Sequence, residues 1–480
     1  MQSENVTPQS PCVSTRPRSP VQTQVVSEDL CIGCGVCASL CPASCLEMRF
    51  NRYGEYNPVE SDGCTECGVC LKVCPFAPGN PNENQIARDL FGTVPGIGRR
   101  TDCGFYHFSF VGHSTVNGIR ERGASGGLAT WILETLLVRG VVNRVICAST
   151  NPDPEKLFRF AIVDSPKGLR QCSGSVYYPL ELSEVLKRVL AEDGRYAVIG
   201  LPCFVKALRL AERCNPTLAK RLVYHAGVVC GLLPSKFYAE YVVASAGGDP
   251  QRVTRLMFRG KEPCLPATRP VIRFWYDAAA RDPDGQIEHL KGPCFAWEDW
   301  FFKHNACSFC DDVFAELADV VLMDAWLPEY SSKPGGESLA ITRTTQATDL
   351  LRSGIANGEI EGEELPIEQV VASQRTVLFH KRQQLSAMLA MRARGNRRVP
   401  RKRVPPSTIG AEHMLRALSE LDAMRVDSRT AWLNADSRDL RTFYKCMPTY
   451  RRRARRRMVN GALQLVPRIF RKVLRLAGMR

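Results

Sequence analysis

Between residues 128 and 344 the apolar positions change period repeatedly. LATWILETLLVRG (128–140) carries its hydrophobic residues at helical spacing and stops at Gly140, and VVNRVICAST (141–150) is a β-branched run of strand length. LSEVLKRVLAE then reads as a helix, RYAVIG as a buried strand and FVKALRLAER as the next helix. RLVYHAGVVCG, ADVVLMDAW and SLAITRT are further β-branched runs bounded by turn residues. This succession predicts an α/β domain with a mostly parallel sheet over residues 105–391, with ligands expected at the C-terminal ends of its strands.

The remaining segments have other compositions. Residues 1–24 are rich in Ser, Pro, Thr and Gln and read as a disordered leader without the apolar core of a signal peptide. Residues 25–80 are short and cysteine-dense, and residues 81–104, which begin in the polar Gly/Pro-rich stretch NPNENQIARDLFGTVPGIG, read as a linker. Residues 392–450 read as a basic linker and helical extension, and residues 451–480 as a basic tail.

Within residues 25–80 stand two quartets of the form C-x2-C-x2-C-x3-C-P: Cys31, Cys34, Cys37, Cys41 and Cys64, Cys67, Cys70, Cys74. In two-cluster ferredoxins the fourth cysteine of each run serves the other cluster. One 4Fe-4S cluster is therefore expected on Cys31, Cys34, Cys37 and Cys74, and the second on Cys64, Cys67, Cys70 and Cys41. Gly33, Gly35 and Gly68 permit the tight turns that bring three thiolates onto one cubane. A zinc site needs only four thiolates, usually from paired C-x2-C units, and C-x2-C-x2-C leaves no geometry for several disulfides at once. The segment is expected to be an α+β ferredoxin-like domain.

Composition adds compartment and charge. The 480 residues hold 21 cysteines, which without a secretory signal imply a reducing compartment, so cytoplasm is expected. No apolar run reaches the length of a membrane span. The net charge of +15 is local. Residues 392–403 carry six Arg and one Lys, and residues 451–480 ten Arg and one Lys, with no acid in either stretch, so the rest of the chain is slightly acidic. In the tail, VPRIFRKVLRLAG sets apolar positions at helical spacing opposite arginines, which suits an anionic membrane surface, such as peripheral attachment to the inner face of a membrane, or an acidic partner protein. No aromatic stacking platform accompanies the arginines, which argues against nucleic acid.

Three further features carry chemistry. GASGGLAT sets Ser125, Gly126 and Gly127 before a helix, where bare backbone amides let a phosphate or flat ring approach, although a serine-capped helix start accounts for it as well. Cys203 and Cys230 each follow a predicted strand, a position that suits a nucleophile, a metal ligand or a packed thiol. Cys307 and Cys310 stand at C-x2-C spacing, and with Cys203 and Cys230 they make the four thiolates a third cubane requires. Pairing of Cys307 and Cys310 with Cys264 or Cys294 is the alternative. Cys45 reads as a spare thiol and Cys147 as core, while Cys12 and Cys446 fall in surface segments. His113, His225 and His304 read as structural histidines, with Lys303-His304 beside the C-x2-C the pair best placed to act as a proton donor.

ASGGLAT, GLPCFVKALR, CGLLPS, C-x2-C-x-D-x2-AELAD followed by DAW, and GGESLAITRT occur here in one order, over residues 27–345. Together they resemble the beta subunit of the coenzyme F-420 hydrogenases and dehydrogenases, a family of iron-sulfur flavoproteins. The resemblance implies FAD on the α/β domain, fed by 4Fe-4S clusters. It places flavin contacts on Ser125, Gly126 and Gly127, with Lys206, and on Asp324, where Met323 stands in place of the family's glycine. It implies an oxidoreductase acting on coenzyme F-420 or another small organic molecule, with an electron-donor or acceptor protein such as a ferredoxin as partner. Two alternatives stay open: a non-catalytic relay subunit, and a reductase of bacterial glycan metabolism that does not use F-420.

Overall fold

The computed structural model describes residues 18–456 apart from 152, 154, 263–264, 277–285, 289–297, 410–411 and 436–438. Its cysteine-dense region is built twice on one plan. Gly35 (φ 79°) and Gly68 (φ 71°) take left-handed backbone and start one-turn helices, α1 (Val36–Ser39) and α2 (Val69–Lys72). Two residues earlier Gly33 (φ 72°) and Glu66 (φ 51°) make matching left-handed turns. Between the quartets an antiparallel hairpin, β1 (Leu46–Phe50) and β2 (Tyr56–Glu60), completes the α+β ferredoxin-like unit.

The expected linker is ordered structure. Asn82 caps α3 (Glu83–Phe91) in a reciprocal capping box with Gln85, and Ile86, Ala87 and Phe91 bury the helix's apolar face. A short hairpin, Gly98–Arg100 with Gly104–Tyr106, leads into the next domain. Polar composition concealed an amphipathic helix whose N-cap signal is Asn rather than Ser or Thr.

The α/β domain carries an eight-stranded mixed sheet. Its strands are β3 (Phe108–Ser114), β4 (Arg144–Thr150), β5 (Phe158–Val163), β6 (Tyr196–Gly200), β7 (Leu222–Val228), β8 (Val320–Asp324), β9 (Ser338–Thr342) and β10 (Ile360–Glu364), in the order β10-β3-β9-β8-β7-β6-β4-β5. The central four, β4, β6, β7 and β8, run parallel, and antiparallel strands extend them on both sides. Alternate residues serve two cores: Val320 and Leu322 pack with α4 (Leu128–Val138), while Val321 and Met323 face the opposite layer. Arg343, fully buried, donates to the carbonyls of Phe105, Phe314, Ala315 and Ala318, and so fastens the loop after Cys310 to the sheet.

The basic stretch expected as a linker is a packed strap. From the last turn of α5 (Leu385–Arg394) onward, Arg392 and Arg397 each lie 3.0 Å from Glu28, and Arg398 donates to the carbonyl of Phe76 at 3.2 Å. The chain then forms α6 (Glu412–Asn434), whose Arg429 pairs with Glu55 at 3.0 Å and whose Trp432 donates to Glu240 at 2.8 Å. Finally α7 (Leu440–Lys445) seats Phe443 against Phe301, Phe302 and Trp432. At the other end, residues 18–24 are docked rather than loose: the Ser19 amide donates to Glu60 at 2.7 Å, and Val21 is buried. The rest of the expected leader, residues 1–17, and the amphipathic part of the tail, residues 457–480, lie outside the described residues. No helix among the described residues is long and apolar enough to cross a membrane.

Candidate electron-transfer sites

The structure brings the cysteines of the two quartets together at two neighbouring places. Cys34 and Cys37 lie close to Cys31 and Cys74, and burial first, then these neighbouring thiols, push Cys34 and Cys37 above the usual thiol range. Cys74 is pushed up to about 12, chiefly by burial. Cys64, Cys67, Cys70 and Cys41 line a second cavity with Cys45. Equivalent backbone amides aim at equivalent sulfurs, Gly33 N–H at Cys31 Sγ (3.4 Å) and Glu66 N–H at Cys64 Sγ (3.5 Å). The two sites differ in exposure: Cys34 and Cys37 are buried, whereas Cys67 is exposed.

The third set of thiols also comes together. Cys203 sits in the first turn of the helix Pro202–Cys214, Cys230 follows β7, Cys307 lies within the short 3-10 turn Asn305–Phe309 and Cys310 follows it. All four face one cavity walled by Ile32, Phe76 and Leu233. Ile32 and Phe76 adjoin Cys31 and Cys74, and Cys34 is among the thiols near enough to act on Cys203, so this cavity abuts the first quartet's site. The Leu233 amide donates to Cys307 Sγ at 3.2 Å. Burial pushes Cys230 up to about 12 and raises Cys203 and Cys307 as well. Cys264 and Cys294, the alternative partners of Cys307 and Cys310, lie outside the described residues.

A neutral thiol pocket of this kind becomes ionic when a metal replaces the protons. Among the described residues no group of three or more His, Cys, Asp or Glu is close enough to close on one ion. Four thiols on one apolar cavity supply the number of ligands a 4Fe-4S cubane takes. Lys381 enters the same cavity from the turn Phe379–Gln384. It is 4% exposed and bonded to Cys310, and although burial disfavours its charge, the surrounding thiols hold its pKa above the usual lysine range.

The Ser125-Gly126-Gly127 turn precedes α4 and is held from three sides. Ser125 Oγ donates to the Glu337 carbonyl, and Lys261 donates to the carbonyls of Arg120 and Ser125. The Glu337 carboxylate takes Arg120 at 3.0 Å and His113 at 2.9 Å. Gly126 has a packing reason to lack a side chain, since a Cβ there would meet Gly112 O at 2.5 Å and Ser338 N at 2.7 Å. Asp324, at the end of β8, pairs with Arg259 at 2.7 Å, and Trp326 lies beside that guanidinium. Burial, then Arg120 and Arg259, lower Lys261 to about 8. Arg120, Arg259 and Arg273 each have an acidic partner, whereas Lys261 donates to backbone carbonyls. Lys261, Arg120 and Arg259 stand together beside a helix start, an arrangement that fits an anionic group.

Residues 109–187 and 193–368 match the families described as coenzyme F420 hydrogenase/dehydrogenase beta subunit, N-terminal and C-terminal parts, and residues 30–77 match a 4Fe-4S dicluster domain. The chain belongs to the coenzyme F420 hydrogenase/dehydrogenase beta subunit family. Among solved structures, a chain of the xenon-derivatized F420-reducing [NiFe] hydrogenase complex from Methanosarcina barkeri is similar at 16% identity and a TM-score of 0.48, over 61% of this chain and 96% of that one. Comparison with curated proteins returns no match. Family membership makes this an iron-sulfur oxidoreductase subunit of F420 hydrogenase type.

Within this family member, several residues named from the sequence lie elsewhere than expected. Lys206, expected at the flavin, is 6% exposed and spends its ammonium on Glu83 at 3.0 Å, in an ion cluster with Asp311 and Arg403. Lys303 and His304 do not join the Ser125 group. Lys303 is buried over the Trp300 ring near Cys307, and His304 is buried near Glu55 and the Cys31 backbone, so both sit against the cysteine sites. His225, wholly buried, lies 2.6 Å from Glu212, and His113 holds Glu337, as structural histidines do. Cys147 is core and adjoins Cys172, and Cys446 is exposed.

Sequence reasoning missed Lys381, Arg120, Arg259, Lys261 and Glu337. Glu337 lay within the quoted GGES motif. The others are cations scattered over more than 250 positions, with no local signal to join them.

Proposed function

We propose that the chain is an iron-sulfur flavoprotein oxidoreductase carrying three 4Fe-4S clusters and FAD, with coenzyme F-420 or another small organic molecule as substrate. The observation that carries this reading is the abutment of the Cys203, Cys230, Cys307 and Cys310 cavity on the first quartet's site. It makes a continuous series of thiol-lined sites from the exposed Cys67 inward. Cys41 and Cys74 exchange places between the first two sites and lock them into one unit. Ile32 and Phe76 form an apolar wall toward the third and exclude water, while Lys381 supplies positive charge to thiolates that ligation would leave in excess.

Bound FAD would exchange single electrons with the clusters and electron pairs with a substrate. For that cofactor the Ser125-Gly126-Gly127 turn offers close backbone approach at the start of α4, and Lys261 with Arg120 and Arg259 offers charge for a pyrophosphate. Lys261 and the Glu337 carbonyl fix the turn before any ligand arrives.

The deciding measurement is iron, acid-labile sulfide and flavin content of the anaerobically purified full chain, with spectra before and after dithionite. Twelve irons with one FAD is the expected result. A second reading, a relay subunit that passes electrons to a partner without a substrate of its own, draws on the commitment of both the Ser125 hydroxyl and its carbonyl to protein contacts. Eight irons without flavin would favour it.

A further inference from the structure

The second quartet's site holds one thiol more than a cubane uses. Cys45, a spare by its spacing, is 2% exposed, and its sulfur lies 3.4 Å from that of Cys41. Both thiols line one cavity with Cys64, Cys67 and Cys70, and the Cys64 thiol is the other near neighbour of Cys45. The two candidates reach the cavity from different supports. Cys41 opens a turn closed by the Ser44 amide on its carbonyl at 3.0 Å, with Ser44 left-handed at φ 51°. That conformation is uncommon for a residue other than glycine, and here it swings the next residue back over the cavity. Cys45 is anchored independently: its carbonyl accepts from the Ser61 amide at 2.9 Å, and Leu46 beside it pairs with Glu60 in the hairpin.

We infer that Cys45 is a working fourth ligand of the second cubane site, interchangeable with Cys41. The inference rests on the reading that this site holds a cubane. In the exchange one iron loses its bond to the Cys41 thiolate and gains one to Cys45. The proton of Cys45 passes to Cys41, and no electron is transferred. The arrangement suits its location, because Cys67 makes this the site that oxidants reach first. A peroxide that turns the Cys41 thiolate into a sulfenic acid is itself reduced to hydroxide, which takes the proton of Cys45 as that thiolate replaces Cys41 on the iron.

The test uses the full chain, reconstituted anaerobically, as wild type, C41A, C41S, C45A and C41A/C45A, with iron and sulfide per chain and the EPR spectrum of the reduced protein. Expected are wild-type iron in each single variant, an altered second-cluster signal in C41A and C41S, and loss of about four irons in the double variant. Retention in C41S with loss in C41A counts against the exchange, since a serine oxygen can itself bind the iron. Loss of those irons in both C41A and C41S, or in C45A, overturns it. A wild-type chain without a cubane on the second quartet, its first-quartet signal intact, overturns the underlying reading as well and is told apart by the wild-type spectrum.

Discussion

The guanidinium of Arg403 lies 3.2 Å from the carboxylate of Asp311, the residue that follows Cys310. The same guanidinium reaches Glu316 at 2.6 Å and Glu83 at 3.8 Å, and all four groups are buried. Burial works against each charge. Arg403 and Lys402 nonetheless hold Asp311 well below the usual carboxylate range, and the three acids hold Arg403 well above the usual guanidinium range. Removing one partner of such a group leaves uncompensated buried charge.

Arg403→Met is therefore expected to destabilise the chain by about 3–5 kcal/mol. Chemical denaturation followed by far-UV circular dichroism measures the loss. Loss of iron from the third site at denaturant concentrations that leave the first two sites filled would place the damage at Asp311. An unchanged midpoint would show that solvent already compensates the carboxylates.

Lys381 bears on potential rather than stability. A unit charge about 6 Å away at an effective dielectric constant of about 20 is worth about 3 kcal/mol, on the order of 100 mV for one electron. A nearby cation favours the reduced, more negative cluster, so Lys381→Met should lower the midpoint potential of the proposed third cluster by that order and Lys381→Arg should leave it near the wild-type value. An EPR-monitored redox titration reads both, and equal potentials in wild type and Lys381→Met would show that the ammonium is screened.

The Lys261 pKa of about 8 gives a pH window. Its folded value is depressed below the unfolded value of about 10.4, so between about pH 8 and 10 the unfolded state binds more protons and apo stability rises with pH across that window. Affinity for an anionic cofactor should move the opposite way and fall as pH passes about 8, because the ammonium is lost. Flavin titration from pH 6.5 to 9.5 should show this slope in wild type and not in Lys261→Gln.

Glu337 holds Arg120 and His113 together and its backbone holds Ser125. Glu337→Ala removes charge-assisted bonds worth about 1.5–3 kcal/mol each. It should weaken flavin binding tenfold or more while leaving iron content intact. Flavin and iron measured on the same preparation separate that outcome from general unfolding.

What was legible in the sequence depended on distance along the chain. The quartets show themselves because the ligands of a cubane site crowd into a few residues, and the helix of residues 128–138 and the parallel strands show themselves through local periodicity. Cys203, Cys230, Cys307 and Cys310 were assembled by their strand-end positions and the C-x2-C spacing, and the structure brings their thiols to one cavity. The helix Glu83–Phe91 was hidden by its polar face. Lys381 and Arg403 were hidden for another reason: their partners, thiols for the one and acids for the other, are tens to hundreds of positions away, and until they are known such a cation resembles a solvated one. Lys206 illustrates the converse, since its placement by motif beside Cys203 gave no hint that Glu83 claims its charge.

The strap that carries Arg392–Arg403 also sets an order in time. During synthesis all twelve cysteines of the three sites have left the ribosome before the residues that cover them. Lys381 follows Cys310, and Arg398 and Arg403, which close over Phe76 and Asp311, come later still. The nascent chain thus completes its three sets of thiols before it makes the strap that packs over Phe76 and Asp311.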